Sequence, residues 1–278
     1  MSRLPPRHLS IAPMLDWTDR HFRYMARQIT ENAWLYSEMI NAGAIIYGDK
    51  DRFLMFNEGE QPVALQLGGS EPADLAKAAK AAEEYGYNEI NLNCGCPSPR
   101  VQKGAFGACL MNEVGLVADC LNAMQDTVDI PVTVKHRIGV DRQTEYGVAA
   151  EFVGTLYEKT ACRTFIVHAR NAWLDGLSPK ENREVPPLKY DYVYRLKQDF
   201  PELEIIINGG ITTNEQISEH LKHVDGVMVG REAYHNPMIM RDWDRLFYGE
   251  SSPPVEYADL VRKLYEYSRA QIQAGRGT

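Results

Sequence analysis

Gly226-Val227-Met228-Val229-Gly230-Arg231 reads as a short apolar strand that runs directly into a glycine and a cation. The same pattern stands just upstream, where Glu204-Ile205-Ile206-Ile207-Asn208 is followed by Gly209-Gly210. Both are buried-strand patterns closed by turn residues. Toward the N-terminus the series continues with Thr164–His168, Val132–His136, Glu89–Asn93, Val63–Leu67, Trp34–Ser37 and Leu9–Ala12. Helical patterns separate these runs. Start signals stand at Ser70 for a helix from Ala73 to Glu84, at Thr144 for one through Leu156, and at Thr213 for one from Glu215 to Leu221. This alternation predicts an α/β fold of the TIM (β/α)₈ barrel type. An open doubly wound sheet is the alternative, but no Gly-x-Gly-x-x-Gly follows the first strand.

The chain has 278 residues, 44% hydrophobic and 24% charged, which suits one large core with a small appendage. No run of about 18 apolar residues exists, which argues against a membrane span. Met1 to Pro6 lacks the apolar stretch of a signal peptide. Five cysteines without a framework spacing suit a reducing cytoplasm. A net charge of −8 argues against a nucleic-acid partner unless cations cluster locally. After Tyr248 a linker-like stretch runs from Gly249 to Pro254, and helical periodicity resumes at Val255. The expected organisation is therefore a barrel over 1–248 and a linker with a helical segment over 249–278.

In such a barrel the chemistry belongs to the C-terminal ends of the strands. Those ends carry Pro13-Met14, Gln66, Asn93-Cys94-Gly95-Cys96-Pro97-Ser98, Lys135-His136-Arg137, His168-Ala169-Arg170, Asn208-Gly209-Gly210 and Gly230-Arg231. The glycines after strands seven and eight are either tight turns or a backbone cradle for phosphate, with Arg231 adding a forked contact. Lys135 is either a solvated strand-end cation or, if a flavin fills the barrel mouth, the charge beside its N1/O2 edge. Gln66 reads as a partner for a pyrimidine edge or as a buried structural amide. His168 is open in the same way, as a structural residue or a flavin or phosphate contact. Cys94-x-Cys96 lacks the two further close ligands that structural zinc requires, so no metal is expected. Cys109, Cys120 and Cys162 read as small buried residues. Cys96 opens a loop through Lys103-Gly104-Ala105-Phe106-Gly107, where glycines permit closing motion and a thiol can serve as an acid.

Taken together, these motifs resemble the tRNA-dihydrouridine synthases. Ala12-Pro13-Met14 with Thr18-Asp19 and Phe22-Arg23 is similar to their opening signature, and Asn93-x-Gly95-Cys96-Pro97-Ser98 with Gly107-Ala108 to their catalytic loop. Lys135-x-Arg137-x-Gly139, His168-Ala169-Arg170, Asn208-Gly209-Gly210-Ile211 and Asp225 to Arg231 follow in family order. The segment from Trp173 to Arg183 resembles the bacterial A-type branch acting at tRNA positions 20 and 20a. With Arg170, Lys180, Arg183 and Lys189, and with Arg100 and Lys103 nearby, that loop supplies the positive patch which the net charge conceals.

The resemblance implies FMN as cofactor, NADPH as reductant and tRNA as substrate, with no membrane and no protein partner. It implies that Pro13, Met14, Leu15, Gln66, Lys135, His168, Asn208, Gly209, Gly210, Gly230 and Arg231 hold FMN. Asn93, Arg137, Arg170, Lys180 and Arg183 would meet the RNA. Hydride would pass from flavin N5 to uracil C6 and a proton from Cys96 to C5, on a uridine flipped out of its stack. Cys94 replaces the aliphatic residue usual in the family and is expected to be inert. The family's helical RNA-binding domain is longer than the segment following Gly249 here. A flavin barrel acting on a free metabolite would not need the basic loop, and an RNA-binding module without turnover would not need Cys96.

Overall fold

Successive side chains along a strand face opposite sides, and here one side fills a barrel while the other packs beneath helices. The computed structural model describes residues 4–275; the residues 1–3 and 276–278 used in the sequence reading lie outside the described residues. The strands are β1 (Leu9–Ile11), β2 (Trp34–Asn41), β3 (Val63–Gly68), β4 (Glu89–Cys94), β5 (Val132–Arg137), β6 (Thr164–His168), β7 (Glu204–Asn208) and β8 (Gly226–Val229). They form a closed barrel in chain order. Every pair is parallel, and β8 closes on β1 through Ser10 opposite Met228. β2 runs past the expected Ser37 because a register shift between Tyr36 and Met39 lets it continue beside β3.

Alternation divides each strand. On β4, Ile90, Leu92 and Cys94 join the outer core beneath the helices, leaving Glu89, Asn91 and Asn93 to face inward. The apolar part of the interior is a separate cluster that includes Trp34, Tyr36, Ile166, Ile206 and Met228.

Of the three expected caps, one forms. Thr213 Oγ1 accepts from the Gln216 N–H at 3.2 Å and opens the helix Asn214–His220. Ser70 does not cap: the helix runs Pro72–Glu84, and Pro72 at its start has no N–H needing a partner. Thr144 does not cap either, since the helix Tyr146–Lys159 begins two residues later. The backbone is still turning at Thr144, whose N–H donates to the Arg142 carbonyl at 2.9 Å.

The helix Tyr257–Gln273 rests on the barrel through Tyr267, which stacks on Tyr24 at 3.8 Å and shares a 2.9 Å hydrogen bond with His21 Nδ1. Tyr257, Val261, Tyr265 and Ile272 on the same helix are exposed. Among the described residues, no helix is long and apolar enough to cross a membrane.

Candidate functional site

The C-terminal rim gathers most of the expected side chains. Lys135 and Asn208 come from β5 and β7, and Lys135 Nζ donates to Asn208 Oδ1 at 3.1 Å. Asn208 Nδ2 is anchored on the Met228 carbonyl at 2.8 Å. Burial, and then the charge of Arg137, push the Lys135 ammonium down to about 7. His168, at the end of β6, is pushed well below its ordinary value by burial and then by Arg137, Lys135, Arg170 and Arg183. Arg170, Arg183 and Arg231 lie within one another's fields. Among the described residues, the carboxylate that answers this cluster is the exposed Glu184, paired with Arg231 at 2.8 Å.

Crowded like charge of this kind is chemistry that could hold an anion. Two further features fit a phosphate there. Gly209 has φ +121°, and a Cβ on it would stand 2.7 Å from His168 Cδ2, so a side chain would fill the space beside the histidine. The buried Arg170 Nε has no hydrogen-bond partner among the described residues, while its Nη1 is spent on the Glu184 and Pro186 carbonyls.

The remaining expected cofactor residues lie on or just after β1, β3 and β8. Pro13 and Met14 are half-buried after β1, in a turn held by Thr18, whose Oγ1 accepts from the Met14 N–H at 2.9 Å. Leu15 is 63% exposed, more than the half-buried Pro13 and Met14 before it. Gln66 is buried at the top of β3, its Oε1 accepting from Asn93 Nδ2 at 2.8 Å. Gly230 precedes the short helix Arg231–His235 and has only Ala12 nearby on its open side.

The two thiols of Cys94-x-Cys96 part company. Cys94 faces outward into the core, fully buried, and burial pushes its thiol far up. Cys96 is half-buried on the rim because Asn93 Oδ1 accepts from the N–H groups of Gly95 and Cys96, at 3.1 and 3.0 Å, and turns the chain. Gly107, with φ +78°, brings the loop back over it: a Cβ there would lie 2.6 Å from the Cys96 carbonyl oxygen. Burial also raises the Cys96 thiol, against opposing pulls from the Ser98 backbone, Arg137, Arg183 and Lys135. The net direction favours the protonated form, the one an acid needs.

Arg137 ties this loop to the basic one. Its Nε donates to the Gly95 carbonyl at 3.1 Å, and its Nη1 to the carbonyls of Asn171 and Asn182 at 3.0 and 2.8 Å. Gln102 adds a second tie, its Nε2 donating to the Pro97 and Leu174 carbonyls, both at 2.9 Å. Lys180 and Arg183 are exposed on the basic loop, and Arg183 is near enough to act on the charge of Cys96 and Arg137. The sequence reading missed Asn182, fully buried, which bonds the backbone of Trp173 through both ends of its amide. Its placement within a polar loop carried no signal. It also missed Asn91 and Thr133, whose signal was a polar residue at every second position of β4 and of β5.

Comparison with known proteins accords with this geometry. The family model for dihydrouridine synthase matches residues 10–278. The chain is 57% identical over 271 residues to the tRNA-dihydrouridine(20/20a) synthase of Yersinia pestis, covering 98% of this chain and 78% of that protein. It is 56% identical over 267 residues to the enzyme of the same name from Vibrio parahaemolyticus, covering 96% and 82% respectively. Among solved structures, a 2-naphthoyl-CoA reductase complex matches with a TM-score of 0.63 at 10% identity, over 84% of this chain and 49% of that one, a likeness of fold alone.

Proposed function

The chain belongs to the dihydrouridine synthase family of oxidoreductases, and from that premise we propose that it reduces the C5=C6 bond of uridine in tRNA, at positions 20 and 20a. The observation that carries this reading is the half-buried Cys96, turned onto a rim where Lys135, Arg137, Arg170 and Arg183 crowd together. The cofactor we propose is FMN, which when bound and reduced by NADPH supplies the hydride that goes to C6.

This chain's own residues do the rest. Gly209, Gly210, Gly230, Arg170 and Arg231 would hold the phosphate, with His168 against it. Lys135 and Asn208 stand where negative charge on the ring would be answered, and Gln66 reads its amide edge, with Pro13, Met14 and Leu15 as the opposite wall. Charge developing on the uracil O4 needs donors fixed in advance, and Asn93 and the Arg137 Nη2 are offered for that role. Cys96 holds the proton destined for C5. Lys180, Arg183 and the rim face of Arg170 would meet RNA phosphates, and residues 249–278 are read as a linker and one helix of an RNA-facing segment. Five free cysteines suit a reducing compartment, the cytoplasm, where tRNA is found.

The test is mass spectrometry of undermodified tRNA after incubation with the protein and NADPH. A gain of two hydrogens mapped to positions 20 and 20a is expected. Unchanged tRNA with rapid NADPH oxidation toward a small enone would instead mark a metabolite reductase.

A further inference from the structure

Beneath the rim, the barrel interior is not uniform. On the β6–β8 side it is filled by Ile166, Ile206 and Met228. Under β3 to β5, whose ends carry Gln66, Asn93 and Lys135, it holds Glu89, Asn91 and Thr133 instead, all at most 1% exposed. An apolar filling is possible there too, as the other side demonstrates, so the polar column calls for a reason.

The column is a continuous hydrogen-bond chain. Thr133 Oγ1 donates to Glu89 Oε1 at 2.6 Å and accepts from Asn91 Nδ2 at 2.8 Å. Asn91 Oδ1 accepts from Gln66 Nε2 at 2.7 Å, and Gln66 Oε1 accepts from Asn93 Nδ2 at 2.8 Å. Asn93 Oδ1 then accepts from the Gly95 and Cys96 N–H groups.

An amide chain taken alone could run in either direction, because the two ends of an amide have nearly the same shape. Here both termini forbid reversal. At the lower end Glu89 is ion-paired to Arg7 at 2.7 Å and also receives the Tyr36 hydroxyl at 2.7 Å, so it offers lone pairs only. The single Thr133 proton must go to it. At the upper end, backbone N–H groups can only donate. The two demands agree, and every amide between them is fixed in one orientation. In a buried setting a single reversed member would leave two donors facing one another, and aligned bonds polarise their neighbours.

We infer that Glu89, through the hydroxyl of Thr133 and the amide of Asn91, positions the Gln66 amide and the backbone of Cys96, making Glu89, Thr133 and Asn91 positioning residues for the rim. The inference rests on the reading of Cys96 and Gln66 as working groups.

Thr133→Val keeps the shape and removes the hydroxyl, and Thr133→Ser restores it. Two readouts are taken on folded protein, checked by thermal melting. The first is the rate of Cys96 alkylation by iodoacetamide, mapped by fragmentation of the peptide that also holds Cys94 as a buried control. The second is kcat and KM on undermodified tRNA with NADPH. Thr133→Val should speed Cys96 alkylation by roughly threefold to tenfold as the Asn93 turn loosens, and lower kcat about tenfold with KM little changed. Thr133→Ser should match the parent in both. Should the valine variant not fold, Asn91→Asp places an acceptor where Thr133 needs a donor, and the same two readouts must move. Parent-like behaviour of the valine or aspartate variant, or equal damage from the serine variant, would overturn the inference. Alkylation needs neither flavin nor RNA. A parent protein that makes no dihydrouridine would therefore break the proposed function while the alkylation contrast still judged the chain.

Discussion

At the N-terminal end of the barrel Arg7 meets Glu89 at 2.7 Å and Glu204 at 3.1 Å, and Lys197 meets Asp225 at 2.8 Å, whereas at the C-terminal rim Lys135, Arg137, Arg170 and Arg183 face one another without carboxylate partners of this kind. A groove of about 610 Å³ opens at the N-terminal end, lined by Arg7, His8, Lys197, Glu204 and Asp225 among others. A groove of that size could hold a small ligand. Its charges answer one another, however, so nothing there is left to recognise a ligand. Paired charge holds a fold together, and unanswered charge at the strand ends marks where something is to be bound.

The comparison predicts opposite consequences for mutation at the two ends. The largest effect on stability belongs to the lower end. Arg7→Leu strands Glu89 and Glu204 and should cost about 3–5 kcal/mol in denaturant unfolding. An Arg7→Leu protein as stable as the parent would invert the comparison.

At the rim, Cys96→Ala should keep FMN and NADPH oxidation yet lose about a hundredfold or more in dihydrouridine formation. Cys94→Val, in the outer core, should be nearly silent. The reverse outcome in tRNA mass spectrometry would move the acid to Cys94.

Arg231→Ala should weaken FMN about tenfold in equilibrium titration while hardly moving the melting temperature, because its partner Glu184 is exposed. Unchanged FMN affinity would remove Arg231 from the phosphate site.

Lys135 sharpens the contrast through pH. Its ammonium is held near about 7, so an anion that prefers it charged must take up a proton when binding above that pH. FMN binding should therefore tighten as pH falls from about 9 to 7, by up to about tenfold per unit, and level off below. Lys135→Met should flatten this curve; a parent curve that is already flat would remove Lys135 from contact with the charge.

The smallest effect is expected of the loop rim. Changing Lys180 and Arg183 to Ala should weaken tRNA binding severalfold and lower its salt dependence, leaving NADPH oxidation without RNA unchanged. Equal loss of both would make that loop structural.

Much of this was legible in advance because it is local. The eight strands were readable as apolar runs ending in turn residues, and observed boundaries differ from the expected ones mostly by a residue at the C-terminal end. The cap at Thr213 was readable from its spacing to Gln216, while Ser70 lost its role to Pro72. The rim was readable because barrel geometry assigns strand ends to one face. The brace made by Arg137 was not: its partners, Gly95, Asn171 and Asn182, are carbonyls from two distant loops, and backbone acceptors leave no trace in residue identity.

By itself the sequence determined the barrel, the family resemblance and the roll of groups at the mouth, since each follows from period, order and residue type. The choice of Cys96 over Cys94 came from the resemblance; only the tertiary structure showed how two thiols that would share a side on an unbroken strand come to face different surroundings. The strand ends at Cys94, buried outward, and Asn93 Oδ1 accepts from the next N–H groups and turns the chain so that Cys96 reaches the rim. Likewise only the pairing of β3, β4 and β5 brought Glu89, Thr133, Asn91 and Gln66 into one column, because direction along a hydrogen-bond chain is set by which groups meet across strands and not by any strand alone.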